Sequence, residues 1–69
     1  MPLLLAELNI LYIIKYIRAN EKERHHLEAL GFIPGVQLTV LSKFNGYLLV
    51  SIKGSRMGID RDLAKRIII

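Results

Sequence analysis

The sequence predicts a mainly β fold: a small β-barrel with one short helix at about residues 20–30 and a short C-terminal helical turn. Three observations predict it. Asn45-Gly46 stands between two alternating apolar runs, the strongest short hairpin signal. A complete helix start and stop runs from Asn20 to Gly31. The other apolar runs are short, rich in β-branched or aromatic residues, and separated by tight-turn residues. Closing such strands on themselves removes exposed sheet edges, which favours a barrel.

The elements follow in order. Pro2 to Leu8 reads as a lead-in, a turn of helix or an irregular segment that packs Leu4, Leu5 and Leu8. Ile10 to Ile17 reads as the first strand, and its apolar residues on both faces predict a central or doubly covered position. Asn20 caps the helix and Glu23 returns the bond as in a capping box, while Glu21 and Glu23 favour the positive end of the dipole. Leu27 and Leu30 form the inward stripe, with Lys22, Glu23 and His26 outward. Gly31 supplies the positive φ of a helix stop, and Phe32 folds back onto the last turn as a core residue. Pro34-Gly35 fits the centre of a type II turn. Val36, Leu38 and Val40 then share one strand face, as Leu48, Val50 and Ile52 do after the hairpin. Gly54-Ser55 makes the next turn and Arg56 to Ile59 a short strand. Asp60 caps a helical turn through about Lys65, and Ile67 to Ile69 forms the last strand.

The chain's 69 residues make one domain, 1–69, with no internal repeat or linker. The absence of cysteine excludes disulfides and thiolate zinc sites and fits a reducing compartment. The N-terminal apolar stretch has no Lys or Arg before Lys15, unlike a signal peptide, and Glu7, Asn9 and Lys15 interrupt it as a membrane span. The net charge of +4 admits a polyanion partner. The cations Lys15, Arg18, Lys43, Lys53, Arg56, Arg61, Lys65 and Arg66 are nevertheless dispersed, with no aromatic platform among them, so no nucleic acid is expected.

The run L-E-A-L-G-F-I-P-G-V at Leu27 to Val36, with V-S-I-K-G-S-R-M-G-I and A-K-R-I-I-I after the hairpin, resembles the FeoA family. The matching positions include Leu30, Gly31, Phe32, Pro34, Gly35, Gly54 and Arg56, and the opening L-A-E-L at Leu5 to Leu8 resembles the family's start. The resemblance implies an SH3-like barrel. It implies a small cytosolic accessory protein of bacterial ferrous iron uptake, recruited to the inner membrane face by an FeoB-like GTPase that it binds and modulates. It implies neither an enzyme nor a transporter. The alternatives are a nucleic-acid-binding small barrel and a stand-alone relative of the SH3-like domain of iron-dependent repressors. The chain lacks the glycines usual before the first strand, and the resulting apolar strand favours homo-oligomers.

Catalytic residues find no candidate: Glu21/Glu23 and Asp60/Asp62 sit at helix starts, where capping explains them. His25 and His26 suggest weak transition-metal binding, with Glu28 as a further ligand of His25. Adjacent helical side chains diverge by about 100°, however, and no cofactor is required. For partner binding, the exposed apolar candidates are Ile33 and Phe44. Leu30, Gly31, Phe32, Pro34, Gly35, Gly54 and Arg56 are read as residues of the structural motif.

Overall fold

The computed structural model describes all 69 residues. A 3-10 turn at Leu3–Leu5 is followed by β1 (Leu11–Ile13), β2 (Tyr16–Ile17), α1 (Glu21–Ala29), β3 (Gln37–Phe44), β4 (Tyr47–Ile52), β5 (Ser55–Asp60), α2 (Arg61–Ala64) and β6 (Ile67–Ile68). The strands form a four-stranded antiparallel sheet, β1-β3-β4-β5, and a two-stranded one, β2-β6. The fold is thus the expected mainly β one with two helical pieces. The sheets do not close into a continuous barrel, and β1 and β5 remain as edges.

The segment from Leu27 to Val36 is fixed by its own backbone bonds. Phe32 N donates to Leu27 O at 3.0 Å and Gly31 N to Glu28 O at 2.9 Å, with Gly31 at φ +102°. These two bonds are the paired closure of a Schellman stop. Val36 N then donates to Ile33 O at 3.1 Å around Gly35 at φ +92°, the type II turn. Gly35 N bonds Ile14 O and Ile14 N bonds Val36 O, at 2.8 and 3.0 Å, so the turn is sewn to the end of β1.

Both helices start as their sequences require. Asn20 Oδ1 accepts from Glu23 N at 2.8 Å, and Asn20 N donates to Glu23 Oε1 at 3.2 Å, completing the capping box. Asp60 Oδ1 accepts from Leu63 N at 2.8 Å. Glu23 also faces Arg66, whose Nε lies 2.9 Å from Glu23 Oε2 but out of line for a hydrogen bond. The contact is therefore an ion pair that ties α1 to the chain ahead of β6.

Leu3, Ala6, Ile14, Leu27, Phe32, Leu38, Val40, Leu48, Val50, Ile52, Ile59, Ala64 and the Ile67–Ile69 run are buried, and no polar side chain joins them. Phe32 is a core residue, as its place after the helix stop predicts. Pro2 bridges Ile68, and Ile69 N donates to Met1 O at 2.8 Å, so the two chain ends pair.

Four expectations are corrected. The Ile10–Ile17 run is two short strands rather than one covered strand. Ile14 is buried and Tyr12 half-buried while Leu11 and Ile13 are exposed, because alternation turns the first two toward the core and the other two to the outer face of the sheet. Of the lead-in leucines, Leu3 is buried and Leu5 and Leu8 are exposed, since the 3-10 turn brings Leu3 and Ala6 inward together. Leu30 is the exposed C-cap residue of α1, so Leu27 alone anchors that helix in the core. The β4–β5 turn is Lys53-Gly54, both with positive φ, and Ser55 pairs with Ile52 as the first residue of β5.

Candidate functional site

A β-bulge decides what the β3–β4 hairpin presents. Val40 pairs with Val50 and Ser42 with Leu49, which leaves Leu41 as the extra residue. Side chains alternate with period two, so one extra residue exchanges the faces beyond it. Without the bulge, Phe44 would point inward with Leu38 and Val40. With it, Phe44 turns outward opposite Tyr47, and Lys43 takes the inner side opposite Leu48. The Lys43 ammonium then donates to Leu4 O at 2.7 Å, tying the hairpin to the 3-10 turn.

The hairpin tip closes through Asn45 at φ +48° and Gly46 at φ +76°, a type I′ turn that the Asn-Gly pair favours. Arg61 N donates to Gly46 O at 2.9 Å, which joins the start of α2 to this tip. The arginine stem lies over the turn: a Cβ on Gly46 would stand 3.9 Å from Arg61 Cδ.

These contacts enclose a cleft of about 390 Å³ between the 3-10 turn and the hairpin, with Leu4, Leu48 and Gly46 in its walls. Three large side chains in its lining stand in water: Leu5 is 65% exposed, Phe44 64% and Tyr47 56%. Arg61, at the rim, takes part in no ion pair. The cleft offers no nucleophile with an adjacent base and no pair of carboxylates. It can enclose an apolar side chain of another protein, with a cation beside it for a carboxylate or a carbonyl.

Ile33 is exposed at 41% and lies next to Pro34, at the opposite end of β3 from Phe44. At ~3.3 Å per residue, the strand separates the two by roughly 23 Å. They do not form one surface. Gly31, Gly35 and Gly54 occupy positive-φ turn positions, and Pro34 sets the type II turn. Arg56 is exposed on β5 opposite Ser51. His25 and His26 are exposed on α1, where His25 Nε2 lies 4.0 Å from Glu21 Oε1 and Glu28 is taken by Arg24 at 3.5 Å. No group of three or more histidines and carboxylates stands together as a ligand set.

Of the residues lining this cleft, the sequence singles out Phe44 as exposed but not Leu5, Tyr47 or Arg61. The signal for Tyr47 was present, because the residues flanking a two-residue Asn-Gly turn face each other across the hairpin. Leu5 and Arg61 arrive by tertiary folding, and no local pattern marks them.

Two short packed sheets, a helix after the second strand and a helical turn before the last one define a small SH3-like β domain with an open apolar cleft. The family model of the FeoA domain matches residues 1–69, and the chain belongs to the FeoA family. No curated protein sequence matches significantly. Among solved structures, an iron uptake regulatory protein (FeoA) is 28% identical over 97% of this chain and 91% of its own, with a TM-score of 0.89. FeoA of Stenotrophomonas maltophilia in complex with zinc is 24% identical over 99% of this chain and 87% of its own, with a TM-score of 0.85. It is described as an SH3-domain protein and a candidate activating factor of bacterial ferrous iron transport. A manganese-dependent transcriptional repressor is 18% identical over 97% of this chain and 39% of its own, with a TM-score of 0.87, a likeness of fold. No helix is long and apolar enough to cross a membrane.

Proposed function

We propose that this chain is a cytoplasmic accessory protein of bacterial ferrous iron uptake. It binds the cytosolic GTPase domain of an FeoB-like membrane protein through the cleft at the hairpin tip, and binding recruits it to the inner membrane face. The observation that carries the reading is the cleft itself: Leu5, Phe44 and Tyr47 are held in water by a bulge and an Asn-Gly turn beside the unpaired Arg61. Family membership supplies the iron-transport context. Buried aromatic anchors dominate protein interfaces, and Phe44 has the position of one.

The protein acts by binding and not by catalysis, and it requires no cofactor. Transition-metal binding at His25 or His26 is weak on this reading. Stoichiometric binding that disappears in the double variant His25→Ala/His26→Ala would restore those residues as ligands.

Titration of the wild type, Phe44→Asp and Ile33→Asp into the isolated GTPase domain tests the assignment. Phe44→Asp is expected to weaken binding at least tenfold, about 1.4 kcal/mol or more, with its melting unchanged because the side chain is exposed. Ile33→Asp is expected to bind as the wild type does. The reverse ranking would move the interface to the Pro34 end of the molecule.

A further inference from the structure

The cleft at the hairpin tip combines apolar walls with charge of one sign. Its lining holds two cations, Lys43 and Arg61, and no carboxylate. Lys43 Nζ donates to Leu4 O at 2.7 Å, so its ammonium is fixed against the 3-10 turn. Arg61 is different: its guanidinium forms no ion pair and donates to no group of the chain. Its acidic neighbours in sequence do not neutralise it. Asp60 Oδ1 accepts from Leu63 N at the start of α2, and neither Asp60 nor Asp62 lines the cleft or enters an ion pair.

The Arg61 stem is nonetheless placed. Arg61 N donates to Gly46 O at 2.9 Å, and a Cβ on Gly46 would stand 3.9 Å from Arg61 Cδ, so the stem passes over the turn. A guanidinium anchored along its stem and open at its head has less freedom to lose on binding than one on a free side chain.

We infer that the cleft selects an acidic segment of its partner: an extended stretch whose large apolar side chain lies among Leu5, Phe44 and Tyr47 while a neighbouring carboxylate takes the Arg61 fork. This rests on the hairpin-tip reading and adds to it the chemistry of the segment received. A guanidinium matches a carboxylate with parallel bonds to both oxygens, which a neutral carbonyl cannot accept. Lys43 adds positive charge on the same side, and the net charge of +4 favours the approach of an acidic partner. A partner lysine would instead meet two cations with no carboxylate between them. The openness of the cleft selects a protein segment over a free small acid. Small ligands are bound where most of their surface is covered, whereas Leu5, Phe44 and Tyr47 remain more than half exposed. A segment that continues on both sides of its apolar residue covers those walls as well.

Isotope-labelled wild type, titrated with acetylated and amidated peptides that flank one leucine with glutamates, glutamines or lysines, tests it. The glutamate peptide is expected to shift the resonances of Leu5, Phe44, Tyr47 and Arg61 at about tenfold lower concentration than the glutamine peptide. The lysine peptide should leave them unmoved. Arg61→Gln should melt as the wild type does, because the side chain is exposed and unpaired, and should lose most of the glutamate advantage. Arg56→Gln, which removes the same charge outside the cleft, should keep it. Equal binding of all the peptides, binding of none, or an advantage undiminished in Arg61→Gln would overturn the inference. The isolated GTPase domain, titrated alongside, separates this inference from the reading beneath it. Binding that weakens with rising salt, and about tenfold in Arg61→Gln, supports both. Binding lost in Phe44→Asp but unchanged in Arg61→Gln keeps the cleft and overturns the acidic segment. A GTPase domain that does not bind, with the glutamate preference intact, supports the segment and removes that partner.

Discussion

Gly35 stands at φ +92° with no heavy atom within 4 Å of the place a Cβ would take. Space is therefore not what excludes other residues here; backbone conformation is. Gly35→Ala is expected to lower stability by ~1–3 kcal/mol, the usual cost of a side chain in this region. D-alanine, whose preferred φ is positive, should melt at or above the glycine protein. Equal melting of the L- and D-alanine forms would contradict the turn as described. Residues of this kind were legible in the sequence because their signal is local: Gly31, Gly35 and Asn45-Gly46 each sit where their own neighbours require positive φ. The orientation of Phe44 was not legible in the same way. Its exposure was expected, but strict alternation from Leu38 would have turned it inward, and the extra residue Leu41 that reverses it leaves no mark in the apolar pattern.

At the scale of elements, α1 is held by few contacts. Leu27 is its one buried side chain, and its start relies on the Asn20–Glu23 box and the Glu23–Arg66 pair. The cap satisfies orphan backbone N–H groups, whereas the ion pair is partly exposed and contributes little in water. Asn20→Ala should therefore cost about 0.5–2 kcal/mol, and Arg66→Gln, which breaks the pair and spares the cap, about 0–1 kcal/mol. Chemical denaturation of both variants checks the order, and a larger loss in Arg66→Gln would reverse the assignment. The helix was readable because start and stop both have chemical signatures. The Ile10–Ile17 run misled for a physical reason. An apolar pattern on both faces signals double cover, but here the chain passes from one sheet to the other at Ile14 and Lys15. Within β1, Leu11 and Ile13 point to the outer face of the sheet and stay in water, so only one of its two apolar faces is covered.

For the whole molecule, the sequence-level expectation of a mainly β SH3-like domain holds, and the expectation of full closure does not. Apolar residues number 52% of the chain, more than the core of this small domain takes in. Much of the excess lies at two places, the hairpin-tip cleft and β1, at opposite ends of β3, while Met1, Tyr16, Leu30 and Ile33 are exposed elsewhere. The first of these places is the surface of the proposed contact with another protein. The chain's membership of the FeoA family is what sets that proposal in ferrous iron transport.

The most direct test is the map of backbone amide shifts in the labelled protein as the cytosolic GTPase domain of an FeoB-like partner is added. Shifts are expected to concentrate at Leu5, Phe44, Asn45, Tyr47 and Arg61, with Ile33 and α1 unaffected. Shifts centred on Ile33 or α1, or none at saturating GTPase domain, would contradict it.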